Sequence, residues 1–132
     1  MTTLGTRPAV PGSNRWWRYV AVGGAATAVH YAWLMGWVQL AHGEAAWGAA
    51  TGAALGAAVA YLANRRYTFA ARAAHRRALP RFASVALLTT GLSAALVAGA
   101  QQLGLHYLIG QILATGSGLV LGYLLNRHWS FQ

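Results

Sequence analysis

Two short clusters of polar and aromatic side chains carry the chemistry that this sequence offers. Each cluster holds a tyrosine, an asparagine, an arginine and a hydroxyl residue at positions i, i+3, i+4 and i+7. Their members are Tyr61, Asn64, Arg65 and Thr68 in the first cluster, and Tyr123, Asn126, Arg127 and Ser130 in the second. If a helix continues to Phe69 in one case and to Phe131 in the other, each cluster lies on one helix face.

These residue types suit an anionic headgroup that carries a sugar. Arginine offers phosphate oxygens a planar fork of donors, asparagine and hydroxyl groups add neutral donors, and tyrosine stacks on a sugar or sits among headgroups. We predict lipid-phosphate or sugar binding by eight residues: Arg18, Tyr61, Asn64, Arg65, Arg81, Tyr123, Asn126 and Arg127. Anchoring of helix ends at a membrane surface is the alternative, but it explains the recurring asparagines less well.

The other reactive groups exclude most enzyme chemistry. Glu44 is the only acidic side chain and there is no cysteine, which excludes carboxylate pairs, carboxylate-rich metal sites, Asp-supported triads and thiolate sites. We therefore expect no enzyme activity, no cofactor and no metal. His30 falls near the middle of an apolar segment. A histidine there relays protons or hydrogen-bonds a neighbouring helix, and both roles stay open.

The composition is that of a membrane protein. Hydrophobic residues make up 57% of the 132 residues and charged residues 8%, whereas soluble domains have about 25% charged residues. Four apolar segments without Asp, Glu, Lys, Arg or Pro cover residues 19–40, 45–63, 82–103 and 107–125. Each is long enough to cross a bilayer as a helix. The sequence predicts an all-α integral membrane protein with four transmembrane helices and a longer basic connection over residues 64–81.

The arginines all fall on one side of the predicted membrane. Four crossings bring the N-terminus, the middle connection and the C-terminus together, and these carry Arg7, Arg15, Arg18, Arg65, Arg66, Arg72, Arg76, Arg77, Arg81 and Arg127. The positive-inside rule then puts both termini in the cytoplasm. We interpret the net charge of +9 as this topology signal and as attraction to anionic lipids, and we expect no nucleic-acid partner. Residues 1–14 are predicted to form a flexible cytoplasmic tail before a single membrane domain over residues 15–132.

The chain is also an internal duplication. Residues 60–69 and 122–131 are identical at five of ten positions. At a closely similar offset, Arg18-Tyr19 matches Arg81-Phe82, and Gln39-Leu40 matches Gln102-Leu103. Repeat 1 covers about residues 18–69 and repeat 2 about residues 81–131. Each repeat holds two crossings, so the sequence predicts parallel repeats related by an axis along the membrane normal.

Small residues recur every fourth position in the second and fourth segments. They are Gly48, Gly52, Gly56 and Ala60 in one segment, and Gly110, Ala114, Gly118 and Gly122 in the other. Such stripes let helix backbones approach closely in lipid, but they do not say whether the partner helix belongs to the same chain. Together with the small size of a four-helix bundle, they are the basis for a predicted homodimer.

The order of these motifs resembles the GtrA-like family. The motifs are Arg18-Tyr19, Val22-Gly23, and the helix ends at residues 64–69 and 126–131, and the resemblance covers about residues 15–132. It implies movement of polyprenyl-phosphate-linked monosaccharides across the bacterial cytoplasmic membrane, where a membrane glycosyltransferase uses them for cell-surface polysaccharide. The basic motif of the family maps onto Asn64, Arg65, Asn126 and Arg127. One departure is His128, which stands where the first copy has Arg66.

Two other functions remain open at this point. In the first alternative, the chain is a non-transporting scaffold that recruits a glycosyltransferase. In the second, it is a small multidrug exporter. Such exporters typically exchange protons at a membrane-embedded carboxylate, and Glu44 is predicted to lie in a turn rather than in a crossing. The scaffold is therefore the stronger alternative to translocation.

Overall fold

Four α-helices, each continuous and apolar in its central part, make up the architecture. The computed structural model describes residues 12–132, and within them the order is α1 (Gly12–Gln39), α2 (Ala45–Ala63), α3 (His75–Gln102) and α4 (Tyr107–Leu125). A five-residue π-helix follows α2 at Asn64–Thr68, and another follows α4 at Asn126–Ser130. We call these the first and the second π-turn. No strand occurs in this part of the chain.

The apolar segments predicted α2 and α4 at their observed bounds. The other two helices begin earlier than predicted, at Gly12 and His75, because the residues before both apolar stretches include arginines, which favour a helix. Residues 12–14, assigned to the tail, belong to α1, and residues 1–11 lie outside the described part. At 28 residues, α1 and α3 are about 42 Å long, which exceeds the roughly 30 Å of a hydrocarbon core.

The middle connection is shorter than predicted. Most of residues 64–81 is helical, and only residues 69–74 lie between the first π-turn and α3. Ala70 bends the chain there with a left-handed φ of 47°. Pro80, placed outside the third segment by the sequence, lies inside α3. Proline has no backbone N–H, so Pro80 cannot donate a helical hydrogen bond to the carbonyl of Arg76, four residues earlier. Arg76 is exposed, and solvent or lipid headgroups can replace that hydrogen bond.

The helices pair into two hairpins. α1 packs along α2, and α3 packs along α4. The contacts of α1 with α4 and of α2 with α3 are much less extensive. We call the end where α2 and α4 finish the arginine end, and the opposite end, which holds Glu44, the glutamate end. Aromatic contacts join the two hairpins at the arginine end, where Tyr19 meets Tyr123 and Tyr61 meets Phe82.

The glycine stripes lie inside the hairpins. A Cβ on Gly56 would approach the Ala26 carbonyl oxygen to 2.9 Å, and one on Gly52 would approach the His30 carbonyl oxygen to 3.0 Å. Gly110 meets α3 in the same way, with Val97 Cα at 2.9 Å. The partner helix of both stripes therefore belongs to the same chain. The stripes no longer argue for a homodimer, and only the small size of the bundle still does.

A bulky side chain at this hairpin contact should destabilise the fold. We expect Gly56→Leu to lower the free energy of unfolding by about 1–3 kcal/mol, because the added atoms force α1 and α2 apart. Gly91→Leu is the matched control, since a Cβ there meets nothing within 4 Å. Thermal unfolding in detergent measures both variants. Equal melting temperatures for the two would contradict the assigned packing.

Two helical stretches among the described residues can cross a membrane by length and composition, His75–Gln102 and Leu108–Ser130. Their most apolar windows are only 6% and 22% buried inside the protein, unlike the core helix of a soluble protein. Exposed leucine and isoleucine side chains, such as Leu87 and Ile112, cover them, which suits contact with lipid. The crossings by α1 and α2 stay a prediction.

Candidate functional site

The two asparagine-arginine pairs begin the two π-turns. In each turn a backbone N–H bonds the carbonyl five residues earlier: Phe69 to Asn64 at 2.9 Å, and Phe131 to Asn126 at 3.1 Å. The helices thus reach Phe69 and Phe131, but not as the α-helix on which the predicted shared face depended. A π-turn holds more residues per turn than an α-helix, which changes the directions of its side chains around the axis, and such turns occur frequently at functional sites.

Six aromatic rings pack between the π-turns. They are Tyr19, Tyr61, Phe69, Phe82, Tyr123 and Phe131. Phe69 and Phe131 stack at the centre with centroids 5.2 Å apart. The other contacts among these six rings come in pairs, in which equivalent residues of the two hairpins have similar centroid distances. One such pair is Tyr19–Tyr123 at 5.6 Å and Phe82–Tyr61 at 5.4 Å.

Both predicted sugar-stacking tyrosines belong to this aromatic cluster. Tyr61 is 4% and Tyr123 is 7% exposed, and Phe131 stacks on Tyr61 while Phe69 lies against Tyr123. Their rings contact protein rather than open surface, so stacking on a sugar needs a rearrangement and stays a prediction. The Tyr61 hydroxyl also hydrogen-bonds His75 Nδ1 at 2.8 Å, a partner that no sequence pattern indicated.

Arg18 and Arg81 each tie the first helix of a hairpin to the π-turn of the same hairpin, and we call these two contacts the arginine clasps. Arg18 Nη1 donates to the Tyr67 carbonyl at 2.8 Å, and Arg81 Nη1 donates to the Trp129 carbonyl at 2.9 Å. Carbonyls at the end of a helix lack helical partners, and a guanidinium there satisfies them and complements the helix dipole. Each guanidinium keeps further donors, so this structural role is compatible with the predicted phosphate contact.

The remaining predicted residues divide into buried amides and half-buried cations. Asn64 and Asn126 are each 2% exposed. Arg65 and Arg127 follow them in the chain and are half-buried, and the buried Nη1 of Arg65 makes no hydrogen bond. The structure thus brings all eight predicted residues to the arginine end, with the arginines as the groups that have access to the surface.

The charge at this end has no acidic side chain to balance it. Glu44, the only one in the chain, precedes α2 at the glutamate end, and the 19 residues of α2 separate it from Asn64 by about 28 Å. Arg66, Arg72, Arg76 and Arg77 are exposed and add to the same charge. The arrangement favours an anion. In the described part of the chain, no group of three or more His, Asp or Glu side chains is placed to hold a metal.

The two π-turns differ in their buried hydrogen bonds. In the first, the Thr68 hydroxyl donates to Asn64 Oδ1 at 2.7 Å. In the second, the Asn126 side chain lies beside the Tyr19 hydroxyl, while Asn126 Oδ1 and the Ser130 hydroxyl have no partner. The sequence predicted two equivalent sites, and in this respect the structure makes them unequal.

His30 lies apart from this end, in the contact between α1 and α2. Its ring stacks beside Tyr31 with centroids 5.6 Å apart, and it faces Gly52. The buried Nε2 makes no hydrogen bond. That nitrogen therefore does not make the bond to a neighbouring helix that the sequence left open.

A shallow apolar groove lies at the glutamate end. It is lined by Ala32, Trp33, Gly36, Trp37, Leu40 and Ala41. The indole N–H groups of Trp33 and Trp37 are taken by the Thr51 hydroxyl and the Glu44 carbonyl. This groove offers no cation to a phosphate, which leaves the arginine end as the candidate site.

Comparison with known proteins identifies the family of the chain. Individually curated proteins gave no match. A family model described as the GtrA/DPMS transmembrane domain matches residues 18–131. The match begins at Arg18 and ends at Phe131, so it spans both arginine clasps and both π-turns. The chain belongs to the GtrA/DPMS transmembrane-domain family, a membrane-protein family linked to polyprenyl-phosphate sugars.

Proposed function

We propose that this protein moves a polyprenyl-phosphate-linked monosaccharide from the inner to the outer leaflet of the bacterial cytoplasmic membrane. The observation that carries the proposal is the pair of half-buried arginines, Arg65 and Arg127, each beside a buried asparagine at the arginine end. A phosphate enters an apolar environment only if its charge is paired. Two guanidinium groups without acidic side-chain partners suit a lipid with one phosphodiester charge.

The proposal includes an architecture and a location. The chain is built from two parallel two-helix repeats with both termini in the cytoplasm, and the matched ring contacts and matched arginine clasps support this symmetry. The arginine end then faces the cytoplasmic leaflet, where such lipids are made. The protein performs no covalent chemistry itself, and a membrane glycosyltransferase consumes the sugar outside.

The proposal also includes a homodimer. Four helices enclose little volume, and the two hairpins contact each other over only a small area. A sugar headgroup thus needs a groove open to lipid or a cavity shared by two copies. Size determination in detergent and in nanodiscs tests this, with a dimer expected and monomer alone contradicting it.

Downhill exchange, driven by consumption of the lipid outside, is the proposed energy source. Proton coupling through His30 is the alternative, but its buried Nε2 has no hydrogen-bonded group to exchange a proton with. We expect His30→Ala and the unchanged protein to give the same dependence of transport rate on pH. A pH-dependent rate that disappears in His30→Ala would establish the relay instead.

Lipid that co-purifies with the protein tests the proposed ligand. We expect native mass spectrometry of the protein from its own membranes to show a polyprenyl phosphate carrying one sugar. The Arg65→Ala/Arg127→Ala variant should lack this adduct, whereas Arg72→Ala/Arg76→Ala, with the same loss of charge, should keep it. If a glycosyltransferase co-purifies with the protein and no such lipid does, the scaffold function is supported and the proposal is contradicted.

A further inference from the structure

We propose that the two asparagine sites have different roles: the second π-turn, together with Tyr19, binds the hydroxyl groups of the sugar, whereas the buried Asn64–Thr68 pair of the first π-turn is structural. This inference rests on the proposed function, because it takes the ligand to be a lipid that carries a sugar. It goes further in assigning sugar recognition to one of the two π-turns and to named atoms.

In the first π-turn, the asparagine and hydroxyl side chains satisfy each other. Thr68 is 0% exposed and its hydroxyl donates to Asn64 Oδ1 at 2.7 Å. Threonine is branched at Cβ and therefore stiff about χ1, which holds this hydroxyl on the asparagine. The facing ring from α3 is Phe82, which contributes no polar atom. A ligand hydroxyl would have to break an existing buried hydrogen bond to bind here.

The second π-turn leaves its corresponding polar groups unsatisfied. Ser130 is 0% exposed and Asn126 is 2% exposed, and neither the Ser130 hydroxyl nor Asn126 Oδ1 has a hydrogen-bond partner. Buried polar atoms without partners are costly and uncommon in proteins. Two of them, four residues apart in one turn, indicate a place where a polar ligand supplies the missing bonds.

Two substitutions between the repeats open space for a third polar group. Tyr19 of α1 stands where α3 has Phe82, and Gly122 of α4 stands where α2 has Ala60. A Cβ on Gly122 would lie 2.6 Å from the Tyr19 hydroxyl oxygen, so the extra hydroxyl requires the glycine. That hydroxyl lies beside the Asn126 side chain. The second π-turn and Tyr19 thus combine a hydroxyl, an amide and a second hydroxyl, where the first π-turn and Phe82 have only the closed Asn64–Thr68 pair.

The chemistry of these atoms selects a sugar hydroxyl over a phosphate. Asn126 Oδ1 is an acceptor, and a phosphodiester has no hydrogen to donate to it. A sugar hydroxyl donates and accepts, so it can bond Asn126 Oδ1 and the Ser130 hydroxyl together. Arg127 directly follows Asn126 and is half-buried, which leaves the phosphate to the guanidinium. Since Ser130 is covered, the sugar reaches it only when the second π-turn loosens.

Binding measurements on matched hydroxyl variants test this assignment. The probes are polyprenyl phosphate alone and polyprenyl phosphates carrying glucose, galactose, mannose or arabinose, titrated against the full chain in nanodiscs. For the tightest sugar lipid, we expect Ser130→Ala to weaken binding about three- to tenfold, the usual effect of one hydrogen bond. Binding of polyprenyl phosphate alone should not change.

Thr68→Val is the matched control, since it removes the hydroxyl of the first π-turn and keeps the shape of the side chain. It should leave sugar-lipid affinity unchanged and lower the melting temperature, because Asn64 Oδ1 loses its partner. Ser130→Ala should not lower the melting temperature, because the hydroxyl it removes is unpaired. Ser130→Thr should weaken sugar-lipid binding as well, by directing the hydroxyl onto Asn126.

The outcomes separate this inference from the proposed function. If no lipid of the panel binds, the proposed function fails, and the inference fails with it. If sugar lipids bind and Ser130→Ala leaves their affinity unchanged, or Thr68→Val weakens it as much, only the assignment to the second π-turn is overturned. Weaker binding of polyprenyl phosphate alone in Ser130→Ala would contradict a sugar contact.

Discussion

Replacing both Arg65 and Arg127 by alanine is expected to reduce transport of a polyprenyl-phosphate sugar to the level of protein-free liposomes. Hydrogen bonds to charged groups contribute about 1.5–3 kcal/mol each, so loss of both arginines should slow transport by about a hundredfold or more. Both side chains are only half-buried, and Arg65 Nη1 makes no bond that holds the fold. The double variant should therefore assemble normally, with an unchanged melting temperature.

The control removes the same charge elsewhere at the arginine end. Arg72 and Arg76 are exposed, so Arg72→Ala/Arg76→Ala loses two positive charges and keeps Arg65 and Arg127. We expect this variant to transport at a rate close to that of the unchanged protein. Equal losses in the two double variants would mean that general attraction to anionic lipid, rather than a built site, explains the arginines.

Replacing Phe131 by alanine is expected to cause the largest loss of stability, about 3–5 kcal/mol. Phe131 is 6% exposed and contacts Tyr61, Phe69 and Phe82. These rings join the two hairpins, whose helices otherwise contact each other at few positions. Removal of the Phe131 ring leaves a cavity in the aromatic cluster that joins the two hairpins. Unfolding in detergent with increasing denaturant measures the change.

Leu62→Ala is the control for this prediction. Leu62 lies in α2 and is 56% exposed, so its truncation removes apolar surface that faces away from the protein. We expect a loss much smaller than that of Phe131→Ala. Similar losses of unfolding free energy in both variants would show that the aromatic cluster does not hold the hairpins together.

The sequence was sufficient to predict those features that follow from apolar length and from duplication. The bounds of α2 and α4 coincide with apolar segments because each runs from a turn at the glutamate end to an asparagine-arginine pair. The gathering of Arg18, Arg81 and the two asparagines at one end followed from an even number of helices between them. The GtrA-like resemblance agrees with the family match over residues 18–131.

The local geometry of the site could not be predicted in the same way. A π-turn differs from an α-helix by one residue in its hydrogen-bond register, and no pattern of apolar residues reports that difference. The arginine clasps join residues 49 and 48 positions apart, so they depend on tertiary packing. The glycine stripes predicted close helix contact, but only coordinates could show that α1 and α3 of the same chain are their partners.

Alignment of the two repeats held a signal that pattern reading did not use. Tyr19 and Gly122 differ together from Phe82 and Ala60, and the structure shows that the Tyr19 hydroxyl occupies the space that Gly122 leaves. This paired difference could be read from the sequence alone, and it involves the Tyr19 hydroxyl that the proposed sugar contact uses.

Transbilayer movement in liposomes that contain only this protein tests the central claim most directly. The readout is the fraction of a polyprenyl-phosphate sugar that a membrane-impermeant reagent can modify. We expect that fraction to rise above the outer-leaflet share seen in protein-free liposomes, and to return to that share in Arg65→Ala/Arg127→Ala. A fraction that stays at the protein-free value for every sugar tested, with folded protein present, would contradict translocation by this chain.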